Sequence, residues 1–67
     1  MFYTHNIATI CGRNIWHYLI DTPIGQFNVV EYEQPSREIK RFIIDGNYYK
    51  AEKKFYSICK SILSGKL

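Results

Sequence analysis

The stretch from Ile15 to Asp45, IWHYLIDTPIGQFNVVEYEQPSREIKRFIID, decides how this chain folds. Its β-branched and aromatic residues come in three runs, separated by Thr22-Pro23-Ile24-Gly25 and by Gln34-Pro35-Ser36-Arg37. Val, Ile, Tyr, Phe and Trp suit a pleated, half-buried surface, whereas Pro and Gly pre-set the dihedral angles of tight turns. Strands are therefore predicted near 15–21, 26–33 and 38–45, joined as hairpins and hence antiparallel.

Side chains on a strand alternate between faces, so a slip of one residue exchanges the two faces. With four-residue connections Ile20 opposes Phe27, Tyr18 opposes Val29 and Trp16 opposes Glu31. Across the second hairpin Val29 then faces Phe42, Phe27 faces Ile44 and Glu31 faces Lys40. On this register one face is aromatic and apolar, centred on Phe27 and Phe42. The other mixes His17, Asn28, Tyr32 and Arg41 with Ile15, Leu19, Val30, Ile39 and Ile43.

Working outward, the segment near 3–11 reads as a further strand that ends before Gly12-Arg13-Asn14. A two-residue Gly-Arg turn and a three-residue loop would put opposite sets of its side chains on a given face, so its register is open. Downstream, Asp45-Gly46-Asn47 breaks the strand pattern, and Asn47 can cap a helix by accepting a hydrogen bond from a free backbone N–H. Ala51, Phe55, Ile58, Cys59 and Ile62 recur at three- and four-residue spacing, which puts them on one side of a helix near 48–64. Ser64-Gly65 supplies the stop. The expected fold is thus α+β: an antiparallel meander of three to four strands, then one C-terminal amphipathic α-helix packed on one sheet face. That face is expected to be the one carrying Trp16, Tyr18, Ile20, Phe27, Val29, Phe42 and Ile44.

The chain has 67 residues, room for one core and no second domain. Six Tyr, four Phe and one Trp supply the large side chains that so short a chain needs. Dimerisation is the other common remedy for small size, and a homodimer is one expectation. No apolar run approaches the ~18 residues of a membrane span. The two cysteines, Cys11 and Cys59, form no Cys-x-x-Cys pair, and no secretory leader opens the sequence. The expectation is a cytoplasmic, reduced protein.

No phosphate-binding glycine loop, zinc-protease helix or nucleophile elbow occurs. His5, Cys11, His17 and Cys59 lack the closely spaced pairs of a structural zinc site. Neither catalytic residues nor a metal nor a cofactor is expected. What the residues favour is a non-enzymatic protein-binding module (a regulator, inhibitor or accessory subunit) docking through the sheet face that the helix leaves bare. On the register above that face offers His17, Asn28, Val30, Tyr32 and Arg41, in a mixture like that of interface centres. The alternative is a nucleic-acid-binding module, because the net charge is +3 and Lys50, Lys53, Lys54 and Lys60 lie on the outer side of the helix. Aromatic residues of the sheet would then stack on bases.

Overall fold

The computed structural model describes residues 2–67. Four strands, β1 (Phe2–Ile10), β2 (Arg13–Thr22), β3 (Gly25–Glu33) and β4 (Ile39–Ile44), form one antiparallel sheet in the order β1-β2-β3-β4. A single helix, α1 (Tyr48–Leu63), follows and packs on β3, β2 and β1. The expected meander and closing helix are therefore the observed ones, with all four strands in the sheet. Among the described residues no helix is long and apolar enough to cross a membrane.

The connections set the register. Between β1 and β2 the turn is Cys11-Gly12, both with positive φ (53° and 72°), and Ile10 pairs with Arg13. A two-residue turn with φ > 0 at both positions matches the right-handed twist of its strands, and glycine fills the second position without strain. Pro23-Ile24 joins β2 to β3, and the pairs Ile20–Phe27, Tyr18–Val29 and Trp16–Glu31 are those expected from the sequence.

The third pairing differs by one residue from expectation. Val30, not Val29, faces Phe42; Asn28 faces Ile44, and Glu31 faces Arg41 rather than Lys40. The cause is a connection of five residues, Gln34 to Glu38, rather than four. Gln34 donates its backbone N–H to the Glu38 carbonyl (2.8 Å), and Arg37 donates to the Gln34 carbonyl (2.9 Å) from a left-handed conformation (φ 74°). The Arg37 guanidinium holds this loop down by bonding the Gly12 carbonyl (3.1 Å) and the Glu33 carboxylate (3.2 Å).

That one residue moves Phe42 and Ile44 onto the side of Ile15, Val30 and Tyr32, and the helix follows them. The core consists of Ile15, Val30 and Tyr32 from the sheet against Ala51, Phe55, Ile58, Cys59 and Ile62 from α1, with Ala8, Ile10, Phe42 and Ile44 packed around it. The expectation that α1 covers the Trp16/Tyr18/Phe27/Val29 face is corrected: α1 covers the opposite face. The physical reason is the volume available to bury. Phe42 and Ile44 join Ile10, Ile15, Val30 and Tyr32 under one helix only when β4 is shifted.

Both helix ends are closed as the residues require. The Asn47 side chain accepts from the Lys50 backbone N–H (3.1 Å), an arrangement worth about 1 kcal/mol. At the other end Gly65 (φ 76°) donates to the Ile62 carbonyl and Lys66 to the Ser61 carbonyl, the paired bonds of a Schellman stop. Arg13 ties this end back to the sheet by donating to the carbonyls of Glu33 (2.8 Å) and Leu67 (2.7 Å).

Candidate protein interface

The expected docking residues separate into two groups. His17, Asn28, Val30 and Tyr32 lie beneath α1, all less than a tenth exposed. The docking role given to them is corrected: they are interior residues. Arg41 lies on the open face, beside Glu31.

That open face is built by the other parity of each strand. Trp16, Tyr18 and Ile20 come from β2, with Phe27 and Val29 opposite them on β3. Ile43 extends the row onto β4, and Ile7, opposite Trp16, extends it onto β1. Phe2 joins at the far corner, its ring 5.7 Å from that of Tyr18. Ile7 is 61% exposed, Phe2 and Ile43 each 69%. At one end Ile20, Thr22, Phe27, Val29 and Ile43 line a shallow apolar hollow.

Charge on this face is paired within the chain. Glu31 accepts from the Tyr18 hydroxyl and from Arg41 Nε (3.2 Å). Burial, and next the Glu31 carboxylate, push the Tyr18 hydroxyl above its usual range, so it stays a donor at neutral pH. Among the described residues, the acid and base at the middle of this face are thus paired with each other.

Beneath the helix lies a second polar arrangement. The Asn28 side-chain nitrogen donates to the Asp45 carbonyl (3.4 Å), which leaves Asn28 Oδ1 as acceptor for His17 Nε2–H at 3.0 Å. His17 Nδ1 is then an unprotonated, buried nitrogen without a hydrogen-bond partner among the described residues. The rings of His5 (4.9 Å), Tyr48 (5.2 Å) and Phe55 (6.5 Å) surround the imidazole, and a β-bulge between Thr4 and Asn6 brings His5 to this side.

Burial lowers the His17 pKa below its ordinary 6.5; the nearby His5 acts in the same direction, against the Asn28 hydrogen bond and Glu52. A second proton would have to sit on the unpartnered Nδ1. The unfolded chain therefore takes up this proton at higher pH than the native one, and stability falls where the unfolded state holds more protons. The contribution of His17 is full above about pH 6.5 and is lost as pH falls below it toward the lowered native value. Urea midpoints at about pH 7.5 and about pH 5 are expected to drop more in the native sequence than in His17→Gln, which keeps a donor but does not titrate. Equal drops in both proteins would remove His17 as the cause.

On the outer side of α1 the four lysines are not equivalent. Lys50 pairs with Asp45 (3.5 Å), and Lys54 lies over the Phe42 ring (4.2 Å). Lys53 and Lys60 alternate with Tyr49 and Tyr56, which are 79% and 54% exposed, along one stripe of the helix. Among the described residues no group of three or more His, Cys, Asp or Glu is placed to hold a metal ion. Cys11 is exposed, Cys59 is buried, and both are free.

Residue order alone does not mark the open face as an interface, because its apolar pattern places the helix there. The missing signal was the length of the second connection. Gln-Pro-Ser-Arg-Glu accommodates four or five loop residues equally well by composition, and only the longer one puts Phe42 on the Val30 side. Comparison with protein-family models, with curated proteins and with solved structures finds no match.

Proposed function

We propose that this chain is a small protein-binding module, a regulator, inhibitor or accessory subunit with no catalysis of its own, that docks through the sheet face opposite the helix. The observation that carries this reading is the contiguous apolar face from Phe2 and Ile7 to Ile43, set around a buried Val29, which no helix among the described residues covers. Exposed patches of that breadth on small proteins mark interaction surfaces. Aromatic anchors with a paired arginine match the make-up of interface centres. Two free cysteines, one of them exposed, fit a reducing compartment such as the cytoplasm.

The test is affinity capture from native lysate with the tagged chain and with the double variant Ile7→Lys/Ile43→Lys. Both sites are largely exposed, so the fold should survive. Capture of a defined partner by the native sequence and its loss in the variant is the expected outcome. Equal capture by both, or none by either, would remove the sheet face as a docking surface for a different protein.

A second reading, nucleic-acid binding, is supported by the Tyr49/Lys53/Tyr56/Lys60 stripe, since exposed aromatics stack on bases while lysines contact phosphates. Binding of a labelled single-stranded oligonucleotide should then weaken steeply with salt and fall at least about tenfold in Tyr49→Ala/Tyr56→Ala, as stacking losses of this kind predict. Absence of binding at low salt ends this reading.

A further inference from the structure

We propose that the occupant of the open sheet face is a second copy of this chain, packed sheet against sheet with the two helices outermost. This rests on the reading that the face is a protein-binding surface, and it names the partner.

The first ground is area. Strands ~4.8 Å apart and six to ten residues long at ~3.3 Å per residue give the four-stranded sheet a face of roughly 550 Å². That footprint is about two-thirds of the ~800 Å² per partner of a standard stable interface, at the small end of specific interfaces. The face is also contiguous across all four strands, as one inner face of a β-sandwich is.

The second ground is charge. The protein's net charge is +3, yet the acid and base at the middle of this face, Glu31 and Arg41, are joined to each other. Burial of unpaired charge, the usual obstacle to self-association, does not arise. Lys40 and the lysines of α1 lie on the helix side of the sheet. Two copies packed ~10 Å apart at their sheets would hold their lysine faces farther apart than the ~8 Å over which charges interact at physiological salt.

The third ground is shape. Trp16 stands at one end of the face, and the hollow lined by Ile20, Phe27 and Ile43 lies at the other. A two-fold axis running across the strands seats each copy's Trp16 end over its partner's hollow, so a single contact is made twice. Isologous interfaces have this self-complementary form.

Sedimentation equilibrium from micromolar to hundreds of micromolar, on the native sequence and on Ile7→Lys/Ile43→Lys, tests the proposal. The expected native mass at the upper concentrations is twice the 8.0 kDa of one chain. The double variant should be monomeric with an unchanged circular dichroism spectrum, its Kd raised at least about 100-fold by lysines buried without partners. Should the double variant fail to fold, Ile43→Lys alone, at a site 69% exposed, carries the same expectation. A native monomer throughout overturns the second copy as occupant, and the capture experiment above then decides independently whether the face binds another protein. A dimer that persists in the folded variants overturns the proposal as well, because association would then use a different surface.

Discussion

Tyr32→Ala is expected to lower the unfolding free energy by about 3–5 kcal/mol, the range for removing a large buried ring, although Tyr32 reads from the sequence as a surface residue. In the fold its side chain is 6% exposed. Its ring lies parallel to that of Phe42 with 6.5 Å between centroids, and the Arg13 guanidinium sits 5.9 Å above it. Truncation leaves a cavity that Ile15, Val30 and α1 cannot close without moving the helix. A domain of this size has only a few kcal/mol to lose, so the variant should be largely unfolded at room temperature. Urea denaturation followed by far-ultraviolet circular dichroism checks this. A change within about 0.5 kcal/mol, the usual range for surface sites, would mean that the helix does not cover this face.

Phe55→Ala is expected to cost a similar amount, about 3–5 kcal/mol, and for a related reason. Phe55 is 3% exposed at the middle of the buried stripe of α1, with its ring 6.5 Å from the His17 imidazole. Its neighbour Tyr56 is 54% exposed on the outer side, and Tyr56→Ala should change stability by no more than about 0.5 kcal/mol. The pair of adjacent substitutions reads the helix's rotation directly, by the same denaturation measurement. Comparable losses at both positions would contradict the packing of α1 on the sheet. A small loss at Phe55 would mean that the helix contributes little to the core.

These two substitutions and the titration of His17 all probe one surface, the contact between α1 and the Ile15/Val30/Tyr32 side of the sheet. The capture and self-association tests probe the other surface. The separation is useful because a variant on the open face that lost both partner and fold would be uninformative, whereas Ile7 and Ile43 project into solvent and make little contact with the core. Arg41 is the one expected docking residue that lies on this open face, joined to Glu31 and through it to Tyr18.

Much of the architecture was legible in residue order. Pro23 with Gly25 marks the β2–β3 hairpin, and the pairs Trp16–Glu31, Tyr18–Val29 and Ile20–Phe27 follow from that turn alone. Asn47, the stripe from Ala51 to Ile62, and Gly65 mark the helix within a residue of its ends. In both cases the signals are local: a turn residue fixes its own dihedral angles, and helical spacing is set within a few turns. The face that α1 chooses is not local. Both sheet faces are apolar enough to attract a helix, so the choice rests on one extra residue between Glu33 and Ile39, stabilised by the left-handed Arg37 and by its contacts with Gly12 and Glu33. Because side-chain direction alternates with every residue, that insertion carries Phe42 and Ile44 across the sheet and carries the core with them. Sequence by itself determined the elements, their order and the buried stripe of the helix. Tertiary structure alone decided which side of the sheet became interior, and so which residues were left to meet a partner, because packing sums volumes from segments more than thirty residues apart.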